Sequence, residues 1–451
     1  MKMRIPTVVV MAACVACGGK VDATGEQADG TGGTTANGGS GGSDPIGGSG
    51  GSAGIGGTAG IGGSAGIGGT AGIGVTSGAS AAGAGGTVSS LCPLVVLGGD
   101  TFNASDGAAS YDGPVAVPTP TGFVLGYWRG AEDGEAQNVR LEISDLGIQS
   151  KQTIMPMSHC SGGSRSNGVG AAWSESLGAG LMAVSTASCS PSDQPRMHVS
   201  NFDRHGAPIA EIEYELPSDV LLNPVKSVAA PQGSDYFWLA AMAGTEPFLY
   251  RFDGVAVQQD PPPQEIHQGT GTASFAQVAA DATTLALLTD SDASGGMLYC
   301  SLLQASGYTV SLEMPPSSTS SLWTWNERAA VVSVVGASLD WIVFDGEGGI
   351  GGTLDAGPYG AVDIVRWGEQ LVTVGAKPGS ISLFRIPGVD GATEIGPAEL
   401  SMTTPIDGYE GTRVAVTAAR DSVVVAWLAS TGVLPAGVSP GGYVVLGCGP
   451  S

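Results

Sequence analysis

A pattern that returns seven times between residues 89 and 451 restricts this chain more than any other feature. Each copy opens on a short Val/Ala-rich strand and turns through Gly, Pro, Asp or Asn. It continues through an apolar strand of about six residues and closes on a strand that alternates apolar with polar. The first strands begin at Pro114-Val115-Ala116-Val117, Val169-Gly170-Ala171-Ala172-Trp173, Ser227-Val228-Ala229-Ala230, Gln277-Val278-Ala279-Ala280, Leu322-Trp323-Thr324-Trp325, Val362-Asp363-Ile364-Val365 and Arg413-Val414-Ala415-Val416. The second strands are expected at 123–128, 181–186, 236–241, 284–289, 329–335, 370–375 and 422–428. Their starts lie about 50 residues apart on average, the period of a repeated four-stranded sheet.

Third strands such as Val139-Arg140-Leu141-Glu142-Ile143, Arg196-Met197-His198-Val199 and Ile381-Ser382-Leu383-Phe384-Arg385 alternate and are followed by Asp, Gly or both. Small Ala and Gly on the first strands suit a narrowing axis, and larger side chains further out fill the gaps between sheets. The arrangement resembles seven-bladed β-propellers and covers about 80% of the chain, without a repeated WD, kelch or Asp-box signature. The expected class is therefore all-β, with a propeller domain over 89–451. A pair of β-sandwiches is the competing architecture. A ring must also join its ends, or its last sheet keeps an open edge. The segment 91–97 is expected to pair beside 442–448, which brings Cys92 near Cys448.

The N-terminus has the layout of an export signal: Lys2 and Arg4, an apolar stretch from Val8 to Ala16, then small residues leading into Cys17. Cys14-Val15-Ala16-Cys17-Gly18-Gly19 resembles the lipobox of bacterial lipoproteins, in which the cysteine after the cleavage site carries lipid. That resemblance implies a signal peptide over 1–16, lipidation at Cys17 and a protein held on a membrane surface by acyl chains. Gly18, where an inner-membrane lipoprotein tends to carry Asp, favours the outer membrane or cell surface. Cys14 stands where the family usually has Leu and is a competing lipid site, and an ordinary cleaved signal is the plainer reading.

The stretch 17–88 reads as a disordered Gly/Ser/Thr/Ala-rich linker, because 29 of the 75 glycines lie between Gly18 and Thr87 and isolated Ile residues bury too little to order it. A flexible chain of that length spans about 45 to 50 Å, enough to hold a body clear of a membrane. The Gly-x-Ser-x-Gly matches inside it lack the strand and helix that a nucleophile elbow needs.

The balance of 17 Lys and Arg against 41 Asp and Glu, a net charge of −24, excludes a phosphate-binding surface and with it nucleic acid. Beyond the first ~20 residues no apolar run reaches the roughly 18 to 20 residues of a membrane span. Five cysteines follow Cys17, and in an exported chain the preferred pairs are Cys92 with Cys448 and Cys160 with Cys189, leaving Cys300 in a third strand as a small buried hydrophobe.

Chemistry is thinly signalled. His159, His198, His205 and His267 have no metal-ligand spacing and read as surface or hydrogen-bonded side chains. Asp290 and Asp292 resemble half of a calcium loop, but Ser301 stands in its closing position, so a strand-connecting loop is preferred. Asp133, Glu135, Asp345 and Glu347 read as loop acids. Trp128 and Trp427, at the ends of the first and seventh second strands, are expected to be neighbours across the closure and to pack between sheets. No residue is assigned to catalysis, to a cofactor or to a metal. The expected role is that of a monomeric, membrane-anchored binding or scaffold module for a protein or polysaccharide. A hydrolase or lyase acting on extracellular polysaccharide is the alternative, and a subunit of an envelope assembly a third.

Overall fold

A computed structural model describes residues 92–449 apart from 103, 105–107, 132–135, 145, 155–165, 187–195, 216–219, 223–225, 255–263, 266–271, 292–296, 305–308, 346–347, 388–399, 404–411, 420 and 430–440. The assignments to 1–16 and 17–88, with Cys14 and Cys17, lie outside the described residues. So do Cys160 and Cys189, and with them that pairing.

The described chain is all β and forms seven antiparallel sheets, the blades of a seven-bladed β-propeller. Blades 1 and 2 span 108–154 and 166–215, blade 3 220–265, and blades 4, 5 and 6 276–314, 320–356 and 361–403. Blade 7 takes its three inner strands from 412–448. Every second strand named above is found, beginning at Gly122, Ala179, Tyr236, Thr284, Arg328, Gln370 and Ser422. Blade 3 departs from the pattern, for its innermost position is shared by two short pieces, Val220–Leu221 and Val228–Ala229, both paired with Tyr236–Ala243.

The second strands are continuously apolar because each is covered on both faces. In Ala179–Thr186, Leu181 and Ala183 face blade 3 while Met182 and Val184 face blade 1. In Ser422–Ala429, Val424 and Ala426 face blade 1 while Val423, Val425 and Trp427 face blade 6. The described core accordingly falls into seven apolar layers, one in each gap between neighbouring blades. This parity corrects the reading of the two tryptophans. Trp128 is buried in the layer between blades 1 and 2 and Trp427 in that between blades 6 and 7, so neither reaches the closure gap and they are not neighbours. Their burial does agree with packing between blades.

Closure uses the N-terminal strand. Leu94–Phe102 is the outermost strand of blade 7 and pairs antiparallel with Gly441–Cys448, from Leu94 opposite Cys448 to Phe102 opposite Gly441. The pairing begins and ends later than the segment 91–97 proposed for it. A disulfide joins Cys92 to Cys448 with the Cα atoms 5.3 Å apart, just beyond the end of this ladder. Cys300 lies in the third strand of blade 4, fully buried, and burial pushes its thiol well above the ordinary value.

Glycine is used where two elements meet too closely for a Cβ. Gly170, on the innermost strand of blade 2, lies against the Ser227 side chain of blade 3, so the small first-strand residues do serve the narrow axis. Gly442 lies opposite Trp427 in the ladder, and the indole fills the space that a Cβ would take.

A buried polar seam joins blades 1 and 2 further from the axis. Arg140, fully buried, donates to the Ser200 hydroxyl and to the Gly206 carbonyl at 3.3 Å, with its guanidinium 4.9 Å from the centre of the Phe202 ring. Beside it, burial pushes the His198 imidazole below its ordinary value, Arg140 acting in the same direction and Glu211, at 3.7 Å, opposing. His205 lies in a turn with Nδ1 2.7 Å from a Glu142 oxygen. His198 is thus buried in the packing between blades 1 and 2 and His205 is held by Glu142, while His159 and His267 lie outside the described residues.

Candidate functional site

The innermost strands converge on an axial cavity of about 150 Å³ at the ends that lead into the first-to-second strand turns. Alanines from four blades line much of it: Ala116 from blade 1, Ala171 and Ala172 from blade 2, Ala229 and Ala230 from blade 3, and Ala279 and Ala280 from blade 4. Against this apolar surface stand Lys226, Trp173, Trp323, Thr324 and Thr417.

Lys226 precedes the short inner strand of blade 3 and has a positive φ of 61°. Its ammonium lies 3.6 Å from Asp363 of blade 6 and 4.7 Å from the centre of the Trp323 ring of blade 5. Asp363 is buried and accepts hydrogen bonds from the Ser321 hydroxyl of blade 5 and the Val416 N–H of blade 7, each at 2.7 Å. A buried charge persists only when it is paired and hydrogen-bonded. Asp363, on blade 6, meets that condition through groups from blades 3, 5 and 7, and so ties these blades together at the axis.

The axial cavity shares Trp323 and Thr324 with a wider pocket of about 320 Å³, formed by the first-to-second strand turns of blades 3 to 6. Its lining includes Gln232, Asp281, Thr283, Trp325, Asn326 and Arg366. The blade 5 turn is tight because Asn326 and Glu327 both take positive φ, 45° and 65°, as a two-residue hairpin of the right twist demands. In blade 4, one Asp281 oxygen caps its own turn, accepting the N–H groups of Thr283 at 2.7 Å and Thr284 at 2.8 Å. The other oxygen of Asp281 is buried and has no hydrogen-bond partner in the described chain. The same holds for Nε of Arg366, whose Nη2 binds Glu369, and for the hydroxyl of Thr324.

Of the acids singled out in the sequence, the two that are described, Asp290 and Asp345, do not line this mouth. Asp290 accepts the N–H groups of Ser274 at 2.6 Å and Phe275 at 3.2 Å, and so closes the entry to blade 4 from its own strand. Asp345 accepts the Gly348 N–H at 3.2 Å in a turn and sits 3.7 Å from Arg328. Asp133, Glu135, Asp292 and Glu347 lie outside the described residues. No histidine lines either cavity among the described residues, and Asp281 is the carboxylate of the mouth. No group of three His, Cys, Asp or Glu side chains is placed to hold a metal among the described residues, and no described helix is long and apolar enough to cross a membrane.

Sequence reading missed Lys226, Asp281, Asp363 and Arg366. One signal was available: Asp363 interrupts the apolar run Val362-Asp363-Ile364-Val365. A carboxylate inside a strand covered on both faces must have a cationic or hydrogen-bonding partner.

No protein-family model and no curated sequence matches this chain. Among solved structures it is similar to the β-propeller domain of the Trilobed protease from Pyrococcus furiosus, at 12% identity and a TM-score of 0.42 over 71% of this chain and 91% of that one. It is also similar to the SapL1 lectin in complex with alpha methyl fucoside, at 12% identity and a TM-score of 0.39 over 65% of this chain and 98% of that one. A third is the Dos1 propeller, at 10% identity and a TM-score of 0.42 over 79% of this chain and 96% of that one.

Proposed function

We propose that this protein is an exported, lipid-anchored propeller that binds a protein or polysaccharide at the cell envelope and leaves it chemically unchanged. The observation that carries the binding role is the division of polar groups at the axis. The buried carboxylate Asp363 is consumed by Ser321, Val416 and Lys226, whereas the turns of blades 3 to 6 leave an open pocket of about 320 Å³ lined by Asp281, Arg366, Trp323 and Thr324. Such a mouth suits recognition, which needs a few placed polar groups in a shaped apolar pocket. General acid–base chemistry needs a titratable pair within reach of one reacting bond.

Anchoring rests on the lipobox-like run ending at Cys17 and on the Gly-rich stretch behind it, long enough to let the ring stand off a membrane. Intact mass and detergent-phase partitioning of the full chain beside a Cys17→Ser variant test this. The wild type is expected to carry the mass of acyl chains and to enter the detergent phase, and the variant to stay in the aqueous phase unmodified. A wild type of unmodified mass that stays aqueous overturns the anchor.

A further inference from the structure

The closing disulfide is set in an open groove. Cys92 and Cys448 line a pocket of about 470 Å³ between the first-to-second strand turns of blades 6 and 7, together with Trp367, Glu369, Gln370 and Asp421. The two cysteines are not equivalent. Cys448, at the end of its strand, is exposed, whereas Cys92 is half-buried against the apolar layer between blades 6 and 7. Arg385, buried on the third strand of blade 6, donates to the Cys92 carbonyl at 2.8 Å and brings the same nitrogen within 3.9 Å of the Cys92 sulfur. We infer that the Cys92–Cys448 bond is a site of thiol–disulfide exchange, which an incoming thiolate enters at Cys448 and from which Cys92 departs beside Arg385. This is independent of the binding role proposed above.

Exchange proceeds by attack of a thiolate on one sulfur and departure of the other, so access selects the sulfur attacked and thiolate stability the sulfur that leaves. At Cys448 the incoming sulfur forms a new S–S bond, the bond to Cys92 breaks, and its electron pair stays on Cys92 as a thiolate. A neighbouring cation stabilises a thiolate. The Arg385 guanidinium supplies one and offsets the apolar packing that opposes a charge on Cys92. The second thiol of a dithiol, deprotonated, then attacks its own sulfur in the mixed disulfide and releases Cys448, and both cysteine thiolates take up protons. The dithiol is thereby oxidised to a disulfide, and Cys92 and Cys448 are reduced to thiols. The ladder of Leu94–Phe102 on Gly441–Cys448 is left in place without its covalent tie. Glu369 and Asp421 on the groove are exposed carboxylates, so an anionic thiol is repelled and the reductant that the groove admits is a neutral or cationic dithiol.

The test exposes the native full chain to cysteamine, mercaptoethanol or mercaptopropionate, a cationic, a neutral and an anionic thiol. Samples are alkylated with iodoacetamide at early times and mapped by peptide mass, and each rate is taken per thiolate relative to the same thiol acting on hydroxyethyl disulfide. The species with the thiol on Cys448 and the alkyl group on Cys92 is expected in about tenfold excess over the reverse. Rates are expected to fall from the cationic to the anionic thiol by roughly fivefold at low salt, and to converge at about 1 M salt. Arg385→Met is expected to slow exchange and even out the two adducts, and Arg385→Lys to restore both. A merely structural role for Arg385 would leave the adduct ratio unchanged. The inference is overturned when the thiol is found mainly on Cys92 or equally on both cysteines, or when reduction is no faster than global unfolding of the same protein. Equal rates for the three thiols overturn the charge selection and leave the exchange site standing.

Discussion

Reduction of the Cys92–Cys448 bond is expected to lower the stability of the ring by roughly 6 kcal/mol in the chain-entropy account. The bond closes a loop with a sequence separation of 356, and in the chain-entropy account the constraint on the unfolded chain grows with the logarithm of that length. It also pins the N-terminal strand Leu94–Phe102 to the edge of blade 7, and loss of that strand would expose the ladder of Gly441–Cys448 to other chains. For a body of this size the change corresponds to a fall in Tm of roughly 8 °C. Thermal unfolding with and without reductant, beside a Cys92→Ser and Cys448→Ser double variant, measures it. Equal melting of oxidised, reduced and doubly substituted protein would show that the N-terminal strand holds the ring without the bond.

Asp363→Ala is expected to cost about 3 to 5 kcal/mol, because removal of one partner strands a buried charge. Lys226 would lose its carboxylate, and the Ser321 hydroxyl and Val416 N–H would lose their acceptor, at the point where blades 3, 5, 6 and 7 meet. The companion change Lys226→Met removes the stranded ammonium while keeping apolar volume against Trp323. The double variant Lys226→Met/Asp363→Ala is therefore expected to be more stable than Asp363→Ala alone. Denaturant midpoints of the wild type, two single variants and the double variant form the cycle. A double variant no more stable than Asp363→Ala would mean that the hydrogen bonds, and not the charge pair, hold the axis.

The repeat was legible because the same physical demand recurs in every blade. A strand packed between two neighbours must be apolar on both faces, so second strands such as Leu181-Met182-Ala183-Val184 stand out without any motif. The closure was legible for the same reason, as an apolar N-terminal segment with a partner of equal length at the other end. Placement of Trp128 and Trp427 was not, because strand position alone does not say which gap a residue enters. Parity does: Trp427 shares its face with Val423 and Val425, and Trp128 with Val124. Blade 3 hid its irregularity, since Ser227-Val228-Ala229-Ala230 reads as a full first strand but pairs through two residues only.

The candidate site lay further from view because its contacts are long-range. Ser321 is 42 residues from Asp363 and Val416 is 53, and only closure of the ring brings them together. Asp281 lies in the turn after the first strand of blade 4 and Arg366 near the end of the first strand of blade 6, and nothing in their local composition joins them.

The central claim is binding without turnover, and the most direct measurement follows both at once. Full-length protein is incubated with polysaccharide taken from the surface of the producing cell, and sedimentation of the complex is recorded beside the mass distribution of the polysaccharide over time. The account predicts a saturable complex from which the polysaccharide is recovered at its original length. A chain length that falls steadily in the presence of the protein, and not in its absence, would contradict it and make this propeller an enzyme.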